Sequence, residues 1–229
     1  MNVQLPLGLG LRDDATFDNY CVGNNAAVLE NLRHCLQGTN ESYMYLWGEQ
    51  GVGRSHLLQA CCHALDSVER ATVYLPLDEF QQLSPEMLDS METLDLICLD
   101  SVNAVIGQRH WEEAIFHLYN RVQSTKARLL IAGDLVPSRL PCLMPDLRSR
   151  LSQGLVLHVE PLNDEQKISA LKMRAQRRGL DLSEEVAQYL LHHYPRNMAV
   201  LFDALIQLDE ASLVMQRRLT IPFVKQVLC

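Results

Sequence analysis

The run Gly48-Glu49-Gln50-Gly51-Val52-Gly53-Arg54-Ser55 stands directly after the apolar, aromatic stretch Tyr43–Trp47 and directly before a helical pattern over Ser55–Leu65. It fits G-x-x-x-x-G-K-[ST], with Arg54 at the position where lysine is expected. Glycines let a backbone wrap closely and aim its N–H groups at phosphate oxygens, and a helix N-terminus adds its positive end. The same chemistry needs a cation at the β-phosphate and a hydroxyl on Mg²⁺. Ser55 supplies the hydroxyl, and Arg54 supplies the charge as a wide planar fork rather than a compact ammonium. The strand–loop–helix setting separates this run from a glycine-rich turn that holds nothing.

Outward from the loop, apolar runs alternate with helical patterns. Strands are expected over Tyr43–Trp47, Ala71–Leu77, Leu94–Asp100, Leu129–Asp134 and Leu155–Glu160, with helices over Asn24–Leu36, Ser55–Leu65 and Trp111–Val122. The third and fourth strands are nearly continuous apolar runs, as in parallel strands covered on both faces. The fold class is therefore α/β, a parallel sheet in three layers. After Pro161 the pattern turns helical: Asn163–Arg178, Ser183–His193, Met198–Leu213 and Ile221–Leu228, broken by Gly179 and Pro195. Asn163 and Ser183 suit N-caps, with Glu184 and Glu185 following in the first turn. The expected division is an extended tail at 1–10, an α/β domain at 11–161 and a small all-helical domain at 162–229.

Lys and Arg number 20 against 28 Asp and Glu, a formal charge of −8. An acidic chain is a poor grip for bare duplex, which needs clustered cations to neutralise phosphates, so no direct sequence-specific DNA binding is expected. No apolar run reaches membrane-spanning length, and the first ten residues lack a secretory signal's pattern. The seven cysteines are odd in number, lie in apolar runs and include no C-x-x-C pair. They read as reduced, packed thiols of a cytoplasmic protein. Cys61, Cys62 and His63 point different ways from one helix and do not suggest a metal. Trp47 and Trp111 suit the core or the wall of a nucleotide site.

Leu94–Asp100 is an apolar strand ending in a carboxylate, as a Walker B strand should, and Asp100 would hold Mg²⁺ through water. Where such a site hydrolyses its nucleotide, an adjacent acid commonly polarises the attacking water. Here the neighbour is Ser101, which is no base at neutral pH. Two groups that support hydrolysis are thus altered together, the loop lysine and the acid after Asp100. Nucleotide binding is expected to survive and fast turnover is not.

In this order the residues resemble the AAA+ ATPases, and among them the initiator-like group containing DnaA. Thr16-Phe17-Asp18-Asn19-Tyr20-Cys21-Val22-Gly23 is similar to that group's opening segment, which flanks the adenine. Gly133-Asp134 is similar to its sensor 1 position. Pro145-Asp146-Leu147-Arg148-Ser149-Arg150-Leu151 resembles its box VII segment, whose arginine reaches a neighbouring subunit's γ-phosphate. The match narrows to the Hda family, on the Arg-Ser of the phosphate loop, on Leu219–Lys225, and on a length without room for DnaA's helix-turn-helix domain. Gln4-Leu5-Pro6-Leu7-Gly8-Leu9 resembles the short peptides that bind the DNA polymerase sliding clamp, with Gln4 making polar contacts and Leu5, Leu7 and Leu9 filling pockets. One departure is plain: Asn197-Met198-Ala199-Val200-Leu201 has Ala199 where the group carries its sensor 2 arginine. Arg196 lies three residues earlier, is expected on the same helical face, and is the candidate replacement.

The resemblance implies that Phe17, Tyr20 and Val22 border the adenine, that Gly48, Gly51, Val52, Gly53, Arg54, Ser55 and His56 meet the phosphates, and that Asp134 and Arg196 sense them. Ser55 and Asp100 would serve Mg²⁺, and Arg150, with Arg148 as second choice, would be an arginine finger acting in trans. The function it implies is that of a cytoplasmic regulator that is at most a feeble ATPase. It would hold ADP by preference, or else another adenine nucleotide, bind the DNA-loaded clamp and stimulate hydrolysis of DnaA-bound ATP, so restraining replication initiation. A trans-acting finger equally allows a homodimer. The alternative is an AAA+ helicase-loader-type ATPase working on single-stranded DNA, and a blander one is a catalytically dead scaffold.

Overall fold

The computed structural model describes residues 11–12, 14–38, 41–79 and 84–228. Tyr43–Trp47 forms a strand (β1), followed by β2 (Thr72–Pro76), β3 (Leu96–Asp100), β4 (Arg128–Gly133) and β5 (Leu155–His158). All four pairings are parallel, in the order β2-β3-β4-β1-β5. Parallel pairing brings every carboxyl end to one edge, so Trp47 lies opposite Gly133 and Pro76 opposite Asp100. Each strand expected from the sequence lies within two residues of the observed limits at either end. The third strand begins at Leu96 rather than Leu94, because a tight turn over Met91–Thr93 is closed by the Leu94 amide on the Met91 carbonyl at 2.9 Å; the Asp95 side chain accepts the Ala71 amide at 3.0 Å and pairs with Arg70 at 2.7 Å.

Helices α1 (Ala26–Gln37), α2 (Arg54–Asp66), α3 (Arg109–Val122) and α4 (Pro145–Leu151) accompany the sheet. Both sheet faces are covered, which is why the strands are apolar at consecutive positions. Tyr45, Ile97, Leu99 and Ile131 share a core with Trp111, Ile115 and Leu118 of α3. Cys98, between Ile97 and Leu99, turns the other way, where its sulfur lies 3.7 Å from that of Cys62 on α2 and 3.7 Å from the Leu58 carbonyl. Trp111 belongs to the core, whereas Trp47 stacks on His158 with ring centroids 4.0 Å apart.

The chain divides into two units. The first contains residues 25–49 and 53–159 with the segment up to Tyr20; the second contains residues 160–229 with the short stretches 21–24 and 50–52. Four helices build the second: α5 (Asp164–Arg177), α6 (Glu184–His193), α7 (Met198–Met215) and α8 (Ile221–Leu228). Leu171, Leu190, Leu205 and Phe223, one from each, meet in its core. Asn163 caps α5 by accepting the Gln166 amide at 2.9 Å, and the Gln166 side chain returns to the Asn163 amide at 2.9 Å. Ser183 accepts from the Val186 amide at 3.4 Å. These reciprocal bonds satisfy N–H groups that a helix start leaves open. Among the described residues no helix is long and apolar enough to cross a membrane, and no group of three or more His, Cys, Asp or Glu could hold a metal ion.

Candidate nucleotide-binding site

β1 ends at Trp47, the loop follows, and α2 starts at Arg54. Gly53 sits at φ +98°, a backbone that disfavours a side chain, and an added Cβ would stand 2.8 Å from Cε2 of Tyr20. Tyr20 thus packs on the loop itself, with its ring 5.5 Å from that of His56. His56 Nε2 lies 2.8 Å from the Thr16 carbonyl, so α2 fastens the segment that carries Phe17 and Tyr20. Further along the same helix, Gln59 Oε1 accepts the Arg12 amide at 2.9 Å and His63 Nε2 lies 3.0 Å from the Arg12 carbonyl. Phe17 lies elsewhere, beneath the guanidinium of Arg33 on α1 at 5.5 Å.

The carboxyl edge of the sheet contributes two acids. Asp100 is buried at the end of β3, where it accepts the Tyr74 hydroxyl and the Ser101 amide, each at 2.8 Å. Burial raises its carboxyl above the ordinary value, opposed by bonds from Ser55, Tyr74 and the Ser101 amide and by the Arg54 charge. A buried carboxylate held by hydroxyl groups suits a cation, and Ser55 is one of its hydrogen-bond partners. Ser101 adopts φ +55°, which turns the chain away directly after Asp100.

Asp134 follows β4 and pairs with Nη2 of Arg54. Asn103 holds it from the other side: its Nδ2 donates to Oδ2 at 2.9 Å, and its Oδ1 accepts the Asp134 amide at 3.1 Å. Gly133 allows this approach, because a Cβ there would run into the Tyr45 hydroxyl. Arg54 is only 8% exposed, and its Nη1 is buried without a hydrogen-bond partner. The first unit therefore brings together Arg54, Ser55, Asp100 and Asp134, with Tyr20 and His56 alongside.

Four further residues belong to the second unit. Gly51 and Val52 are in its loop stretch, where Asn197 Nδ2 donates to the Gln50 carbonyl at 3.2 Å. Val22 is exposed. Arg196 corrects one expectation: it lies outside α7, since Asn197 caps that helix by accepting the Ala199 amide at 2.8 Å. Proline at 195 fixes the backbone just before, so Arg196 occupies a bend, not the helical face, and pairs with Asp164 at 3.3 Å.

Arg148 and Arg150 are in the last turn of α4. The Arg150 guanidinium lies 5.9 Å from the centre of the Tyr119 ring and donates to Gln153 Oε1 at 3.1 Å. Neither arginine forms an ion pair with an acid of the described residues. Sequence reasoning missed the residue that seats this helix. Glu112 on α3 is fully buried and accepts three amides: Gly107 at 2.8 Å, Leu143 at 3.0 Å and Met144 at 2.7 Å. Met144 is the cap residue of α4. The available signal was an acid inside the apolar stripe of Trp111, Ile115 and Tyr119. Gln4, Leu5, Leu7 and Leu9, the expected clamp contacts, lie outside the described residues.

Residues 11–158 match the family model described as the bacterial DnaA ATPase domain, and residues 164–228 match "Hda, lid domain". Domain III of the Thermotoga maritima replication initiation protein DnaA is 23% identical, with 96% of this chain and 97% of that one covered and a TM-score of 0.82. DnaA from Aquifex aeolicus, solved with AMPPCP, is 23% identical at a TM-score of 0.76, with coverage of 89% and 67%. The Thermotoga maritima RuvB branch migration motor is 14% identical at a TM-score of 0.71, with coverage of 95% and 72%. At these identities the structures speak to the fold, an AAA+ body like DnaA domain III followed by a helical lid. The two family matches go further, since the first spans well over half the chain and the second takes up the helices behind it: the chain belongs to the Hda family of DnaA-homologous, replication-initiation-related AAA+ proteins.

Proposed function

We propose that the chain restrains replication initiation by holding ADP and Mg²⁺ at the loop after β1, binding the sliding clamp through Gln4, Leu5, Leu7 and Leu9, and stimulating hydrolysis of DnaA-bound ATP. The residues present fit such a nucleotide. Arg54 Nη1 is a buried donor with nothing to bond, and Ser55 and Asp100 form the hydroxyl–carboxylate set that Mg²⁺ favours beside phosphates. Mg²⁺, when bound, neutralises charge on phosphate oxygens. The chain's own turnover is expected to be slow, because Ser101 cannot act as a base and Arg54 is engaged by Asp134.

The observation that carries the reading is the state of Arg150: a guanidinium at the end of a short helix, neutralised by no acid of the described residues. In the partner, water attacks the γ-phosphorus of ATP, the bond to the β,γ-bridging oxygen breaks, and ADP leaves with the electron pair. Negative charge spreads over the γ-phosphoryl oxygens meanwhile. A placed guanidinium that donates to those oxygens is worth roughly 10³–10⁵ in rate. Arg148 on the same helix is the second choice.

The test uses DnaA loaded with ATP, clamp on DNA, and the full chain. Arg150→Ala is expected to lower stimulation at least about 10³-fold, with ADP binding and clamp capture retained. Normal stimulation by Arg150→Ala together with loss in Arg148→Ala moves the finger to Arg148. Normal stimulation by both overturns the reading, as does brisk turnover by the isolated chain driven by single-stranded DNA. Gln4→Ala is expected to lose capture by immobilised clamp.

A further inference from the structure

We propose that Tyr119 is a positioning residue for Arg150, holding the guanidinium on an uncharged ring so that the cation keeps its charge for a partner's phosphoryl group. This rests on the reading of Arg150 as a trans-acting finger and names what sets its aim. A loose arginine samples many rotamers, and a reaction that needs one of them bears the entropy of choosing it. A carboxylate could fix the side chain, but it would cancel the charge that the reaction uses. An aromatic face attracts a cation without carrying a net charge of its own.

Every part of this support lies in the first unit. The guanidinium stands 5.9 Å from the centre of the Tyr119 ring, and its Nη1 donates to Gln153 Oε1 at 3.1 Å, so both restraints are neutral. Tyr119 is buried on α3, where the ring of Tyr43 on β1 meets it edge-on, with centroids 4.9 Å apart and planes at 77°. That contact fixes the plane on which the guanidinium rests. Burial raises the Tyr119 hydroxyl above its ordinary value, the Arg150 charge lowers it in part and Glu41 raises it, so the ring is not ionised at neutral pH. Tyr43 also holds the backbone, because its hydroxyl donates to the Leu151 carbonyl at 3.0 Å. Leu151 ends α4, and its carbonyl is among those that a helix end leaves open. Tyr43 thus fixes the end of the helix, while Tyr119 and Gln153 fix the guanidinium one residue before it.

The experiment follows hydrolysis of DnaA-bound ATP, with clamp on DNA, against the concentration of the full chain. Tyr119→Leu, which stays apolar and removes the ring, is expected to lower the maximal rate about threefold to thirtyfold. The concentration giving half the maximal rate is expected to move by less than about twofold, since aim changes and capture does not. Tyr119→Phe, which keeps the ring, is expected to stay within about twofold of wild type. In an Arg150→Ala background Tyr119→Leu is expected to cost nothing further, because it acts through Arg150. Equal maximal rates for wild type and Tyr119→Leu overturn the inference, as does a phenylalanine variant as slow as the leucine one, or a loss that persists without Arg150. If Tyr119→Leu does not fold, Gln153→Ala at its exposed position decides: a fall of about twofold or more is expected, and an unchanged rate overturns the inference. Loss in Arg150→Ala with normal Tyr119→Leu removes this inference alone, whereas normal stimulation by Arg150→Ala removes the finger reading with it.

Discussion

Replacing Glu112 with alanine would strip the seat from under α4. Three backbone donors, on Gly107, Leu143 and Met144, converge on one carboxylate that is fully buried. A buried donor left without a partner loses about 1–3 kcal/mol. Some rehydration of the vacated space offsets this, so Glu112→Ala is expected to lose about 3–6 kcal/mol, a large share of the roughly 5–15 kcal/mol that holds a domain together. For a chain of this length that corresponds to a fall in melting temperature on the order of 10 °C. Glu112→Gln separates acceptor geometry from volume: its carbonyl can still serve Gly107 and Leu143, but its amide nitrogen faces the Met144 donor, for a loss of about 1–3 kcal/mol. Urea and thermal unfolding give both numbers. Because Met144 caps α4, Glu112→Gln is also expected to weaken stimulation of DnaA-bound ATP hydrolysis while the chain stays folded. An alanine variant that melts within about 2 °C of wild type and stimulates normally would refute the argument.

Asp100→Asn tests the buried acid by pH. Burial raises this carboxyl in the folded chain above 3.8, so between that value and the raised one the native state binds more protons than the unfolded state. Stability contributed by this group therefore falls as pH rises through that window, and the cost is fully present at neutral pH. The variant is expected to melt higher than wild type at pH 7.5, to lose that advantage below about pH 4, and to bind Mg²⁺-ADP more weakly; an advantage independent of pH would contradict the sign. Gly133→Ala would press a methyl group onto the Tyr45 hydroxyl and Val102, with an expected loss of about 1–3 kcal/mol by urea denaturation, part of it recovered by adding Tyr45→Phe. No recovery would show that the clash lies elsewhere.

What could be read in advance was what depends on near neighbours in the chain. Continuous apolar runs marked β3 and β4, and Asn163 and Ser183 marked two helix starts to the residue, because capping is a three-residue event. The loop after β1 was legible for the same reason: its glycines, cation and hydroxyl are contiguous. Arg54 and Asp134 are 80 residues apart, and Glu112 reaches amides 31 and 32 residues away. No periodicity encodes those meetings; the sheet order creates them. Helical spacing extended back through Asn197 misplaces Arg196, because an asparagine cap with proline at 195 ends the pattern there. The far end of α7 runs on to Met215, two residues past the expected limit, until Gln216 turns it off at φ +51°.

The strand order has a consequence for the newborn chain. β1 carries the loop, yet its two neighbours in the sheet are β4 and β5, which leave the ribosome some eighty and more residues after it. Until Arg128 onward has been synthesised, Tyr43–Trp47 has no strand on either side, and its aromatic and aliphatic side chains wait in water. A fragment halted before β4 would thus contain every residue of the phosphate loop and still lack the neighbours that shape it. The cradle is among the earlier segments to be translated and among the last to acquire its form.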